Sequence, residues 1–107
     1  MDYNFDVIIT PDAENDLIEI RNYIMYKICE PEIAIRYIRR IKRDLQKLST
    51  MALSIKIEDE EPLHSFGIRK MIVENYYAYY EVNEEFNEVY VLDIIYKGRD
   101  QLEALNL

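Results

Sequence analysis

This 107-residue chain has few of the residues that build a structural zinc site or a glycine-rich phosphate-binding loop. Cys29 is the only cysteine and His64 the only histidine, which leaves too few ligands for a structural zinc site. Gly67 and Gly98 are the only glycines, so no glycine-rich loop is present to hold a phosphate. The sequence therefore predicts neither a metal nor a cofactor, and it indicates no small-molecule substrate.

Tyrosine is abundant and can take part in catalysis or binding, and four tyrosines lie in one predicted strand. Tyr77 and Tyr79 share strand parity with Glu81, so the three side chains are expected to face solvent or a partner. Tyr76 and Tyr80 have the other parity and are expected in the core. Aromatic side chains on an exposed sheet can stack on nucleic-acid bases, but they are equally common at protein interfaces.

The net charge of −8 argues against general nucleic-acid binding, which usually leaves a basic footprint. Six of the 13 basic residues nevertheless fall within one short stretch. They are Arg36, Arg39, Arg40, Lys42, Arg43 and Lys47. Such a stretch is usually a solvated helix face, and the alternative is a contact with nucleic acid or an acidic partner.

The expected setting is the cytoplasm. No run of eighteen apolar residues is present, which predicts no membrane span. The acidic N-terminal segment has too short an apolar part for a secretion signal. Cys29 cannot form an internal disulfide, which fits a reducing compartment. The length fits one domain over residues 1–107.

Three strands are predicted in the C-terminal half, over Ile68–Val73, Tyr76–Val82 and Val89–Tyr96. β-Branched and aromatic residues dominate them, and short polar turns separate them as in antiparallel hairpins. The third strand is apolar at both parities, with Val89, Val91 and Ile95 on one and Tyr90, Leu92, Ile94 and Tyr96 on the other. Only Asp93 interrupts it, so this strand is expected inside the sheet.

A strand over Tyr3–Ile9 and two helices are predicted to precede this sheet. Thr10 and Pro11 have the residue types of a helix N-cap and first position, and the segment 29–31 ends that helix at Pro31. Pro31 begins the second helix in the same way. So short a connection favours an antiparallel helical hairpin.

The remaining segments complete an α+β prediction. The second helix has one apolar face, formed by Ala34, Ile38, Ile41, Leu45 and Leu48. A long connection over Ser49–Ser65 contains a possible short strand at Ser54–Ile57, and Lys97–Leu107 is expected to form a short terminal helix. The two helices should cover one face of a mainly antiparallel sheet and leave the other face open to partners.

In this order of elements the chain resembles the RelE/ParE superfamily of toxins from bacterial type II toxin–antitoxin modules, a group that includes plasmid stabilisation proteins. The resemblance lies in the opening VIITPDAENDLIEIRNYI, the helix AIRYIRRIKRDLQKL, and the strands GIRKMIVENYYAYYEV and VYVLDIIYKGRD. It implies two helices on a small antiparallel sheet. It also implies a separate antitoxin that neutralises the toxin.

The resemblance implies two activities. RelE-like members cleave messenger RNA on the ribosome, and ParE-like members inhibit DNA gyrase without cutting RNA. Arg99 matches the arginine that follows the last strand of the nucleases, where it would stabilise phosphate charge. Arg69 lies on a strand where those nucleases carry basic residues, and Lys70 should point to the opposite face.

Other positions depart from the nuclease pattern. Tyr77 stands where the nucleases have a second arginine, and Leu105 stands near their C-terminal tyrosine. Cleavage needs groups that accept and donate a proton. The candidates are His64, Tyr77, Tyr79, Glu81 and Tyr96.

The favoured hypothesis is a toxin that cleaves messenger RNA on the ribosome, with Arg69 and Arg99 binding phosphate and Tyr77 or Glu81 moving the proton. A gyrase inhibitor and a degenerate toxin retained for antitoxin binding are the alternatives. An acidic and apolar antitoxin segment is expected to bind across Tyr77 and Tyr79 near the basic helix.

Overall fold

The computed structural model describes residues 4–106 and has the predicted order of strands and helices. The elements are β1 (Asp6–Ile9), α1 (Pro11–Ile28), α2 (Pro31–Gln46), α3 (Leu48–Met51), a 3-10 turn (Ala52–Ser54), β2 (Arg69–Val73), β3 (Tyr76–Asn83), β4 (Glu88–Tyr96) and α4 (Gln101–Leu105). The α+β prediction is confirmed. The predicted first strand begins at Tyr3, which lies outside the described residues, and observed β1 begins at Asp6.

Local signals set the ends of the two long helices. The Thr10 hydroxyl accepts a hydrogen bond from the Ala13 N–H at 3.3 Å, and Pro11 occupies the first turn. Cys29 adopts the left-handed conformation at the C-cap, and its N–H donates to the Met25 carbonyl. A salt bridge of 3.5 Å between Glu14, near the start of α1, and Lys42, near the end of α2, fits the antiparallel hairpin.

The four strands lie in the order β1-β4-β3-β2, with β1 parallel to β4 and the other pairs antiparallel. The expectation that the last strand lies inside the sheet is confirmed. β1 pairs only with residues 88–91 of β4. The rest of β4 therefore has a strand neighbour on one side only, and α1 packs beside its other edge. The possible strand at Ser54–Ile57 is reduced to a single bridge between Ile57 and Arg69.

The main core lies between the helices and one face of the sheet, called here the helix face. Its helical members are Ala13, Leu17, Ile20, Ile41, Leu45, Leu48 and Ala52, and its strand members include Val73, Ala78, Tyr80, Val89, Val91 and Ile94. The buried hydroxyl of Tyr80 donates to the Ala52 carbonyl at 2.7 Å, which satisfies the polar atom of an otherwise apolar layer. The prediction that Tyr80 is a core residue is confirmed.

A β-bulge in β4 overturns the predicted alternation of its side chains. Tyr79 is paired with Asp93 and Tyr80 with Val91, so Leu92 is the additional residue. Beyond it, Ile94 joins the core of the helix face and Ile95 packs on the opposite face. Strict alternation had placed Ile95 on the same face as Val89 and Val91, and Ile94 on the other face.

The opposite face is not fully open, as the sequence had suggested. A second, smaller cluster there contains Leu63, Ile68, Tyr79 and Ile95. The long connection supplies Leu63, the residue just before β2 supplies Ile68, and α4 packs Leu102, Ala104 and Leu105 against them. The apolar side chains of these two segments are thereby removed from water, which favours their folding back over the sheet. Among the described helices, none is long and apolar enough to span a membrane.

Candidate functional site

Arg69 lies at the edge of the helix face and stabilises the chain around it. Its strand partner is Tyr80, and its guanidinium donates to the backbone carbonyls of Leu53 and Ile55. Bonds from a charged donor to backbone acceptors hold the 53–55 segment against β2. Lys70 is paired with Tyr79 and therefore points to the opposite face, as strand alternation predicts.

Tyr77 lies on the opposite face between two lysines. The Lys70 ammonium is 4.4 Å from the centre of the Tyr77 ring, and the Lys97 ammonium is 5.8 Å from it. Cations over an aromatic face are attracted by its quadrupole. Lys70 also forms a 3.1 Å ion pair with Glu58. We call Lys70, Tyr77 and Lys97 the Tyr77 patch.

Glu81 is on the same face as Tyr77 but four residues further along β3. At the usual rise of a strand, the two residues are about 13 Å apart. Glu81 lies opposite Tyr90, whose hydroxyl donates to Glu88 at 2.6 Å. This hydrogen bond raises the pKa of Tyr90, and the charge of Glu81 raises it further. Glu81 therefore belongs to an acidic end of the sheet, away from the lysines.

The prediction that Tyr79 faces solvent or a partner is wrong. Its side chain is 1% exposed because α4 and the 63–68 segment cover it. The Tyr79 hydroxyl donates to the Gln101 side chain at 3.0 Å. Burial raises the pKa of Tyr79 to about 12, with smaller contributions from nearby acidic residues, so the phenol stays protonated at neutral pH.

Two further proton-transfer candidates lie in other places. The exposed ring of His64 has Nδ1 3.0 Å from the Glu58 carbonyl oxygen. Tyr96 ends β4 and makes an edge-to-face contact with Tyr76 at a centroid distance of 6.0 Å. These contacts place His64 in the long connection and Tyr96 at the far end of the helix face.

Arg99 follows β4 and is exposed, with its backbone N–H donating to the Tyr96 carbonyl. Its guanidinium forms no ion pair with another residue in the range 4–106. It lines a cavity beside Asp16 of α1, where burial raises the pKa of the Asp16 carboxyl and the positive charge of Arg99 offsets a small part of that rise. Arg99 is therefore available to a partner from the side of α1.

The structure does not bring the four predicted catalytic residues together. Arg69 lies on the helix face, Tyr77 and Glu81 lie far apart on the opposite face, and Arg99 lies beyond the end of β4. Acid–base chemistry requires the groups to be within hydrogen-bond reach of the same substrate atoms. Any joint action of these residues on one phosphate would need a partner to supply the rest of the geometry.

A cavity that the sequence did not predict lies between α1, α2 and the end of β4. Its volume is about 770 Å³. The apolar part of its lining is formed by Ile20, Tyr23, Ile24, Ile28, Ile33, Tyr37, Tyr76, Ile94, Ile95, Tyr96 and Ala104, and the polar part by Asp16, Glu19, Asn75, Asp93 and Arg99. We call this feature the acidic groove. It runs beside the part of β4 that β1 leaves unpaired.

Two half-buried carboxyl groups form the polar wall of the acidic groove. Asp16 accepts a hydrogen bond from the Ile94 N–H at 2.9 Å and so satisfies an edge donor of β4. Burial raises the pKa of Asp16 despite that bond. Burial also raises the pKa of Asp93 to about 6, and the charges of Asp16 and Asp12 add to the effect.

Asp93 could have been suspected from sequence, because it is the one polar residue in an apolar strand. Asp16 carried no such signal, since a polar residue on an amphipathic helix is ordinary. Among the described residues, no group of three His, Cys, Asp or Glu side chains is arranged to hold a metal ion.

The basic stretch forms an exposed face of α2. Arg40 is paired with Glu74 at 3.5 Å, Lys42 with Glu14 at 3.5 Å and Lys47 with Asp44 at 3.2 Å. Exposed pairs of this kind contribute little stability. The other three residues, Arg36, Arg39 and Arg43, make no ion pair within residues 4–106 and remain solvated.

Comparison with known proteins identifies the family. The model of the ParE toxin of the type II toxin–antitoxin system parDE matches residues 7–101. A chain of the chromosomal ParDE system from P. aeruginosa has the same fold, with a TM-score of 0.72 and 23% identity over 88% of this chain and 97% of that one. A chain of the RelBE2 toxin–antitoxin complex from Mycobacterium tuberculosis also matches, with a TM-score of 0.61 and 18% identity over 88% of this chain and 99% of that one.

No curated protein sequence matches the chain. The family match covers most of the sequence, and both similar structures have the same layers of helices and strands. The structural likeness, at this level of identity, establishes the fold alone. The family model carries the assignment: the chain belongs to the ParE toxins of type II toxin–antitoxin systems.

Proposed function

We propose that this toxin arrests growth by binding its target, as a gyrase inhibitor does, and not by cutting RNA. The observation that carries the proposal is the separation of Arg69, Arg99, Tyr77 and Glu81 over two faces and one end of the sheet. A binding protein needs no convergent acid and base, whereas a nuclease does. Membership of the ParE family supports the same choice.

The role of Arg69 in its own fold supports this proposal further. Its guanidinium is engaged by the Leu53 and Ile55 carbonyls, so binding a phosphate would require it to leave these acceptors. Tyr79 is equally engaged with Gln101 and buried. Neither residue is poised to act on a substrate in this conformation.

A cognate antitoxin is the proposed regulatory partner. The two similar structures come from a ParDE system and a RelBE2 toxin–antitoxin complex, in which a toxin is accompanied by its antitoxin. The chain exposes large apolar side chains on α1 and at the end of β4, including Tyr23, Ile28 and Tyr96. Such side chains at a groove are suited to a protein partner.

Ribosome-dependent cleavage of messenger RNA remains the second candidate. The Tyr77 patch favours it, because two ammonium groups beside an aromatic ring fit a phosphate and a stacked base. In this alternative Arg99 and Arg69 stabilise the phosphate charge, and Tyr77 or Glu81 moves the proton. The ribosome would have to hold the RNA in line between groups that the toxin keeps apart.

The test is induction of the toxin in bacterial cells, with messenger-RNA ends and plasmid supercoiling measured in parallel. The proposal expects intact messages together with relaxed plasmid or accumulating gyrase–DNA breaks. New messenger-RNA ends at codon-spaced positions, with unchanged supercoiling, would overturn it and establish the nuclease. Continued growth with neither change would mean that the chain is a degenerate toxin.

Arg99 provides a second readout for both candidates. Arg99→Ala removes an exposed guanidinium that has no ion pair within the described chain, so the melting temperature should stay close to that of the wild type. Arg36→Ala on α2 is the matched control, since it removes an exposed arginine that does not line the cavity. Loss of growth arrest with Arg99→Ala alone would assign Arg99 to target contact.

A further inference from the structure

The acidic groove combines an apolar wall with carboxylates, and this combination favours a ligand that is both apolar and positively charged. Its wall contains exposed aromatic surface, with Tyr23 58% and Tyr96 52% exposed. Asp16, Glu19 and Asp93 give it negative charge, and Arg99 is the only basic residue among the described residues that line it. A volume of about 770 Å³ is large enough to receive several side chains at once.

We propose that the acidic groove binds a segment of the antitoxin in which a lysine or arginine, flanked by apolar residues, inserts between Asp16 and Asp93. The inference rests on the proposed antitoxin partner and adds the surface and the chemistry of recognition. The apolar residues of the segment pack on Tyr23, Ile24 and Tyr96. The cation neutralises two carboxylates that otherwise repel each other in a partly desolvated place.

The backbone around the groove favours insertion of side chains over addition of a strand. The Ile94 N–H already donates to Asp16, and the Leu92 carbonyl already accepts from the Thr10 hydroxyl at 3.2 Å. An added strand needs such edge groups to be free for its own backbone. A segment that binds through basic and apolar side chains does not compete for these backbone groups.

Charge complementarity selects a basic segment over an acidic one at this surface. The toxin has a net charge of −8, and Glu19 adds to the negative potential around Asp16. Arg99 at the rim would repel an incoming cation, but the three carboxylates of the lining outnumber it. An acidic segment would instead meet repulsion from Asp16, Glu19 and Asp93.

Two variants remove the charge while keeping the shape. Asp93→Asn and Asp16→Asn are close in volume to the wild type, and the amide oxygen introduced at position 16 can still accept from the Ile94 N–H. Glu84→Gln is the matched control, because it removes one negative charge from the exposed turn between β3 and β4. Each Asp→Asn variant removes a carboxylate that is partly desolvated, so neither should melt below the wild type.

The probe is the purified product of the adjacent gene, titrated into the full toxin chain made by cell-free synthesis. Asp93→Asn and Asp16→Asn should each weaken binding by about 10- to 100-fold, which is the range for losing a hydrogen bond to a charged group. Glu84→Gln should change it by less than about threefold. Each lysine and arginine of the antitoxin is then replaced with glutamine and tested against both the wild-type toxin and Asp93→Asn. For the residue that inserts between the carboxylates, the losses of binding free energy from the two substitutions should not add.

Three results would overturn the inference. The first is a complex that is no more sensitive to Asp93→Asn and Asp16→Asn than to Glu84→Gln. The second is a complex weakened only by Lys97→Gln, which would place the interface at the Tyr77 patch. Both leave the proposed antitoxin partner intact. Absence of any complex with the wild-type chain would overturn the antitoxin partner and the inference together.

Discussion

The helix face and the opposite face of the sheet differ in the size of their apolar clusters, and the acidic groove at the edge of β4 differs in charge from the Tyr77 patch. The helix face carries the main core, and the acidic groove opens at the end of β4. The opposite face carries the small cluster around Leu63 and Tyr79, with the two lysines of the Tyr77 patch beside it.

This difference shows how one thin sheet can present negative charge at the unpaired edge of β4 and positive charge on one of its faces. At the groove the carboxyl groups of Asp16 and Asp93 are partly desolvated and repel each other. At the Tyr77 patch Lys70 is compensated by Glu58 and by the ring of Tyr77. The groove is therefore in an electrostatically unfavourable state without a partner, whereas the charge of Lys70 in the patch is already compensated.

The largest expected effect tests the unequal size of the two clusters. Leu45→Ala should destabilise the protein by about 2–5 kcal/mol, because Leu45 is fully buried in the main core and a cavity remains. Leu63→Ala should lie at or below the low end of that range, since the smaller cluster can close over the space. Chemical denaturation measures both values. A larger loss for Leu63→Ala would show that the opposite face carries the stability.

Arg69 provides the next largest effect and separates structural from functional roles. Arg69→Ala should cost about 1.5–3 kcal/mol, because it removes a charged donor from the Leu53 and Ile55 carbonyls. Thermal melts and growth arrest should decline together if the role is structural. Lost growth arrest at an unchanged melting temperature would instead assign Arg69 to the target contact.

Asp93 links the charge of the groove to pH. Its folded pKa of about 6 lies above the ordinary value of 3.8, so the folded state binds more protons between these two values. Below pH 3.8 the carboxyl is protonated in both states and does not lower the free energy of unfolding. As the pH rises from 3.8 through about 6, the folded carboxyl loses its proton and that free energy falls. The carboxylate therefore destabilises the fold at neutral pH.

Asp93→Asn should consequently stabilise the protein at pH 7 by about 1–2 kcal/mol, a range already reduced for solvent screening. The gain should disappear near pH 4, where the wild-type carboxyl is largely protonated in the folded state and no longer destabilises it. Chemical denaturation at the two pH values measures the gain in the free energy of unfolding, with Glu84→Gln as the control. An equal gain at both pH values would mean that packing, not charge, is responsible.

The smallest effect is expected at the Tyr77 patch. Lys97→Ala should change the free energy of unfolding by less than about 1 kcal/mol, because an exposed cation–π contact is weak and Lys70 remains over the ring. Thermal melting at low and high salt checks this value. A loss above about 2 kcal/mol, removed by salt, would show that the Tyr77 patch contributes to the stability of the fold.

The amino-acid sequence by itself determined the elements whose signals are local. Thr10 starts α1 through its hydrogen bond with the Ala13 N–H, and the prolines at positions 11 and 31 begin the helices through their fixed backbone geometry. The β-branched and aromatic segments gave the three main strands. The order of these elements also carried the resemblance that the family match confirms. Such features survive in the sequence because neighbouring residues decide them.

Tertiary structure alone decided the bulge at Leu92, the burial of Tyr79, the anchoring of Arg69 and the meeting of Asp16 with Asp93. Each depends on segments distant in sequence that pack together: α4 over Tyr79, the 53–55 turn beside Arg69, and α1 along the unpaired edge of β4. Strand parity specifies which side a residue faces. It does not specify what covers that side, because the covering layer is chosen by the burial of apolar surface from the whole chain.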